Sequence, residues 1–208
     1  MEHIFVSAGV SFAALFPIVD PVGNIASFLA LTHTQDSTWR RRQAAKAAVT
    51  AAVMLVVFLV VGHTVLNFFD VSLAAVEVVG GLIIGYTGWE MAMHPHRLEQ
   101  SEESDDADEV FFHPLAFPLL AGPGALAVVL GLSNRHDSWL DFPGFFIGIG
   151  VVCVVAFCAM ALATPIAKRL GPHGIEVITR VMGLVVLAIA AELMFHGIAD
   201  HFMLETSD

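Results

Sequence analysis

Two short stretches place residues able to do chemistry, and residues that break helices, inside otherwise apolar runs. LFPIVDPVGNIASF, residues 15–28, carries two prolines, a glycine, an aspartate and an asparagine, and FPLLAGPG, residues 117–124, carries two prolines and two glycines. Proline removes an amide donor and clashes with the preceding turn, and glycine opens other backbone conformations. Both stretches therefore predict an interrupted helix. Where a helix restarts, its first N–H groups and the positive end of its dipole suit an anion such as a carboxylate. Asp20 supplies the opposite charge and suits a proton, a sodium ion or an ammonium group. Asn24, four residues on, both donates and accepts hydrogen bonds. The expected binding residues are Asp20, Pro21, Gly23 and Asn24 in the first stretch and Gly122, Pro123 and Gly124 in the second. Asp20 falls opposite Ala121 and Asn24 opposite Ala125, so the first stretch is expected to give polar contacts and the second backbone and shape.

The elements that must position these residues are membrane helices. The chain has 208 residues, 57% hydrophobic and 14% charged, with a mean hydropathy of +0.77. Soluble domains are usually about 25% charged. Apolar runs of about 20 residues are long enough to cross a bilayer. Six are expected: 7–31, 44–66, 71–93, 110–133, 142–167 and 175–199. Asp20 then lies near the middle of the first, where an ionised carboxylate costs at least about 2.5–3.5 kcal/mol and marks function by default. The opening MEHIFVS has no basic leader segment, so the first span is expected to be retained.

Arg40, Arg41, Arg42 and Lys46 follow the first span, Arg97 the third, and Lys168, Arg169 and Arg180 surround the fifth connection; Arg135 alone falls on the other side. Cytoplasmic loops carry the excess of Lys and Arg. Both termini are thus expected outside the cytoplasm. The net charge of −11 owes much to residues 99–109, which hold seven acids and no base. That segment reads as a solvated cytoplasmic linker. The sign of the charge excludes nucleic acid as an expected partner.

The linker divides the chain into a first unit, 1–98, and a second, 110–208, that read alike. At an offset of 101, Phe16-Pro17 falls on Phe117-Pro118, Gly23 on Gly124 and Leu31-Thr32 on Leu132-Ser133. At 102, GLII (81–84) falls on GLVV (183–186), and EMAMH (90–94) on ELMFH (192–196). Three spans per unit put the second unit in the membrane upside down relative to the first. Inverted repeats with paired interrupted helices recur in secondary transporters. The predicted fold is an all-α membrane protein of six transmembrane helices, two inverted three-helix repeats whose first and fourth helices are broken.

Other polar residues carry less. Glu90/His94 and Glu192/His196 are spaced i,i+4 and read as solvated helix ends, with gating by Glu90 and Glu192 as the alternative. Arg180 stands i,i+4 from Glu176 and is a further coupling or gating candidate. Inverted topology separates the two Glu/His pairs, so no metal site is expected. Cys153 and Cys158 read as small packing residues. Gly81/Gly85, Gly144/Gly148 and the Ala44/Ala48/Ala52 stripe fit close helix packing. No HExxH or nucleophile elbow is present, and no second buried acid is expected at a depth matching that of Asp20. An enzyme is therefore not expected.

DPVGNI followed by FLALT, then PLAFPLLAGPGAL, then RVMGLVV resembles the MarC family of six-span bacterial and archaeal membrane proteins, in order and spacing over nearly the whole chain. The resemblance implies an inner-membrane protein grouped with neutral amino acid transporters and related to a wider superfamily of amino acid exporters. Carried over by position, it implicates Asp20, Pro21, Gly23 and Asn24, then Ala121, Gly122, Pro123 and Gly124, then Arg180 and Gly183. This chain has Ala26 where the family usually has proline, and Asp20 where it often has asparagine. The expected function is alternating-access transport of a small neutral amino acid such as glycine or alanine, bound at mid-membrane between the broken helices. A proton or sodium is the coupling ion and no other cofactor is expected. The alternative is an exporter or pore-like valve for other small metabolites. The expected partners are the bilayer and the amino acid, and a homo-oligomer is left open.

Overall fold

The computed structural model describes residues 2–93, 120–135 and 141–205, and all regular structure among them is helical. The acidic linker, His94 and the beginning of the fourth expected span lie outside these residues. Helix α1 runs Glu2–Val19 and ends at Asp20, whose φ of 40° is left-handed. Aspartate is one of the few residues that tolerate this region, and the following Pro21 disfavours a right-handed helical conformation for it. The chain restarts as α2, Asn24–Leu31, bent 51° from α1. The expected first span is therefore two helices.

Helix α3, Ser37–Phe68, begins with Asp36 accepting the Trp39 N–H at 2.7 Å. Such a cap contributes about 1 kcal/mol. Helix α4 is Leu73–Met93, α5 is Pro123–Arg135 and α6 is Phe142–Ala161. The expected fifth span stops short: it turns at Leu162 instead of continuing to 167. Helix α7, Ala163–Glu205, then starts early and contains Gly171 at φ 66° with Pro172 behind it. Pro165 sits in the first turn of α7, where a missing N–H costs nothing. The sixth expected span is the inner part of this longer, interrupted helix.

Helices α3, α6 and α7 are each long and apolar enough to cross a membrane, and the bent α1–α2 pair makes a fourth candidate. Helix α4 has 21 residues but carries Glu77, Tyr86, Trp89 and Glu90, which lower its hydropathy. The described part of the fourth expected span, α5, has 13 residues. Large side chains such as Val60, Phe68, Leu82, Val154 and Leu184 are exposed on the outer faces, as suits lipid, while the interior mixes large side chains such as Phe28, Phe145 and Leu15 with many alanines.

The most extensive helix contact joins α4 and α7; α1 packs on α6, and α5 is held by α3 and α4. The α4–α7 seam is glycine-lined. A methyl added to Gly81 would stand 2.8 Å from the Ala190 carbonyl oxygen, and one added to Gly183 would stand 2.9 Å from the Gly88 carbonyl oxygen. Adding 102 to 81 and subtracting 102 from 190 gives the second contact, 183 with 88. Likewise Gly88 meets Leu187 and Gly85 meets Ala190, again related by 102. Rising numbers on α4 meet falling numbers on α7, so the two run antiparallel. On α6, Gly144 meets Ile4 and Ser7 while Gly148 meets Ala8 and Ser11, so α1 and α6 run parallel. Ser7 Oγ donates to Asp141 Oδ1 at 2.7 Å across that contact. Arg40 Nη1 donates to Thr164 Oγ1 at 3.3 Å. This brings the start of α3, with Arg40–Arg42 and Lys46, beside the start of α7, with Lys168 and Arg169.

Candidate functional site

The break after α1 is closed by its own side chains. Asp20 Oδ1 accepts the Gly23 N–H at 3.1 Å, and the Asp20 carbonyl accepts the Asn24 N–H at 3.1 Å. Asn24 Nδ2 donates to the Val19 carbonyl at 2.7 Å, satisfying one of the carbonyls left open at the end of α1. Asp20 and Asn24 are both buried. They do not share one helical face, as a continuous helix would require; each ties one side of the break. A side chain at Gly23 would run into Asp20 Oδ2, so glycine is required there.

The second break differs. Helix α5 starts at Pro123, which has no N–H, and Leu126 N–H returns to the Gly122 carbonyl at 3.1 Å. Among the described residues, the N–H groups of Gly124 and Ala125 reach no main-chain acceptor. The open amides expected at either break are thus at α5, while those of α2 are largely spent on the turn. Helix α5 is also close to α4: a methyl on Gly124 would stand 2.5 Å from Ile84 Cγ1.

The two breaks face one cavity of about 230 Å³. Of the expected residues, Asp20, Gly23, Asn24, Gly122, Pro123 and Gly124 line it; Pro21 is buried but does not. The wall also includes Ser27, Thr87, Met91 and Val186, none of them singled out from sequence. Ser27 was findable, since it stands three residues after Asn24 and seven after Asp20. Thr87 belongs to α4 and carries no signal without the tertiary contact.

The gating candidates stand elsewhere. Arg180 Nη2 donates to Glu176 Oε1 at 2.7 Å near the Gly171 interruption. Glu192 and His196 approach to 3.4 Å on an exposed surface of α7. Glu90 is half-buried on α4, and its partner His94 lies outside the described residues. None of Arg180, Glu90 and Glu192 lines the cavity. Cys153 and Cys158 are free thiols on α6, the first buried and the second exposed.

Two further acids are buried, and neither lines the cavity. Glu77 on α4 is 0% exposed, and Asp141, at the start of α6, is also buried. Glu77 lies where α4 meets α5 and α7: a methyl on Gly131 would be 3.6 Å from its Oε1, and one on Gly197 would be 3.0 Å from its Cβ. Small residues on two neighbouring helices make the room for it.

Membrane-length helices among the described residues, and a cavity where two interrupted helices meet, define a polytopic integral membrane protein. The sequence pattern of the MarC family of integral membrane proteins matches residues 4–202, and the chain belongs to that family. It is 32% identical over 211 residues to the membrane protein YvbG of Bacillus subtilis, covering 99% of this chain and 97% of that one. It is 27% identical over 215 residues to the inner membrane protein MarC of Citrobacter koseri, covering 96% and 97%. A membrane protein of Archaeoglobus fulgidus is 29% identical over 194 residues, covering 91% of each chain. No solved structure matches the chain.

Proposed function

We propose that this protein is a secondary carrier of small neutral amino acids, glycine and alanine foremost, working by alternating access in a prokaryotic inner membrane. The observation that carries the reading is one cavity with an acid on one wall and unspent helix amides on another. The substrate carboxylate binds the Gly124 and Ala125 N–H groups at the positive end of α5. The ammonium group faces Asn24 and Ser27 within the field of Asp20. Pockets for drug-sized ligands run about 300–1,000 Å³, so a cavity of about 230 Å³ suits a solute of few atoms. Ile84, Met91 and Val186 bound it and limit side-chain size.

The carrier has six spans in two inverted repeats. The antiparallel α4–α7 seam, whose contacts map onto one another at an offset of 102, supports this reading. So does the pairing of neighbours: exchanging the halves turns the α2–α7 contact into α5–α4, and α2–α6 into α5–α3. The basic starts of α3 and α7, joined by Arg40 and Thr164, support a common cytoplasmic end with both termini opposite. The chemistry is binding and release, with no covalent step.

The test is counterflow in proteoliposomes: labelled glycine or alanine is supplied outside vesicles loaded with unlabelled substrate. Saturable transient accumulation is expected, lost in Asp20→Asn. Uptake without counterflow for any amino acid shows a valve and rejects the carrier.

A further inference from the structure

We propose that Asp20 and Thr179 hold a sodium ion that travels with the substrate, at a site beside the cavity rather than in it. The inference rests on the carrier reading for its purpose and on local geometry for its existence. Thr179 is on α7, 4% exposed, and belongs to the second half of the chain. Its Oγ1 would stand 3.2 Å from a methyl at Gly23, the same point that Asp20 Oδ2 crowds. Two buried oxygens from opposite halves therefore converge on one glycine. Asp20 Oδ1 is taken by the Gly23 N–H, while Oδ2 takes no hydrogen bond among the described residues.

The end of α1 offers two more oxygens. Pro21 has no N–H for the Pro17 carbonyl, and Val22 N–H makes no main-chain bond to the Ile18 carbonyl. These carbonyls belong to the negative end of a helix dipole, which favours a cation. Carboxylate, hydroxyl and carbonyl oxygens are the hard donors that alkali ions and other hard cations take. Interrupted membrane helices use carbonyls of this kind for sodium.

The site fits a bare ion better than the substrate's ammonium group. Asp20 and Gly23 line the cavity, but Thr179 does not, so the point between them lies behind the cavity wall. Charge argues the same way. At this site the Asp20 carboxylate with a zwitterion carries one net negative charge, whereas adding one sodium ion leaves none. Burying the neutral set is far less costly. The loaded carrier therefore crosses only with its ion.

The measurement is binding of radioactive sodium to the purified full chain in detergent, read by scintillation proximity with choline replacing unlabelled sodium. Wild type is expected to bind saturably. Thr179→Val, which keeps the shape and removes the oxygen, is expected to weaken binding about tenfold or more, and Thr179→Ser to restore it. Thermal unfolding with sodium against choline reports the same order and shows whether each variant is folded. Absence of saturable binding in folded wild type overturns the site, even where glycine counterflow proceeds on protons alone. Equal binding by Thr179→Val and wild type overturns the role of Thr179. Sodium binding without any counterflow keeps the site and rejects the carrier.

Discussion

The α4–α7 seam yields a stability prediction that separates packing from propensity. Gly183→Ala places a methyl 2.7 Å from the Ala92 nitrogen, 2.9 Å from the Gly88 carbonyl oxygen and 2.9 Å from Met91 Cβ. Two of these neighbours are backbone atoms of a packed helix and cannot rotate away. Relief requires α4 and α7 to move apart along their whole contact. Overpacking of this kind costs about 1–3 kcal/mol, and backbone neighbours put it near the upper end. Replacing glycine by alanine in a helix returns up to about 1 kcal/mol. The net loss is about 2 kcal/mol, a fall in Tm of about 4–8 °C for a chain of this size. Gly150→Ala on α6 meets nothing within 4 Å and should hold or raise Tm. Gly85→Ala meets only Ala190 Cβ at 3.6 Å and should change little. The assay is thermal unfolding of the purified variants in one detergent. A Gly183→Ala protein as stable as wild type refutes the seam, as does a Gly150→Ala protein that falls as far.

Asp20→Asn keeps an oxygen for the Gly23 N–H, so Tm should shift by no more than a few degrees while glycine counterflow drops at least tenfold; an active variant removes the acid from the mechanism. Asn24→Leu leaves the Val19 carbonyl without its 2.7 Å donor, and the expected loss is about 1–3 kcal/mol, read by thermal unfolding. Ser7→Ala strands Asp141 across the α1–α6 contact and should cost a similar amount in the same assay, with Gly148→Val, which drives a side chain into Ser11, costing more.

Several parts of this architecture are legible in the sequence for physical reasons. Proline and glycine in FPIVDPVGN and FPLLAGPG announce breaks, and α1, α2 and α5 end or begin at them. Gly81, Gly144 and Gly148 mark close helix contacts because no other residue fits there. Cavity membership is legible for six of the seven binding residues because it follows from the breaks. What is not legible depends on partners far away in sequence. Nothing local shows that the Asp20 and Asn24 side chains close their own turn, leaving open amides at α5. Nothing local shows that Glu77 is housed by Gly131 and Gly197, or that Thr179 reaches Gly23. The turn at Leu162 escapes notice because apolar residues continue on both sides of it; only Pro165 hints at a fresh start.

The α4–α7 seam also bears on where the halves have kept their likeness. Contacts there recur with the two halves exchanged, Gly81 with Ala190 and Gly183 with Gly88, so one substitution disturbs a surface that the opposite helix must still match. Drift is therefore slow along 81–94 and 183–196, which still read alike. The broken helices carry no such mutual restraint. There the halves could part company, one keeping aspartate and asparagine and the other two alanines. A self-matching spine and a free-to-diverge centre let a doubled chain acquire a polar pole without losing its frame.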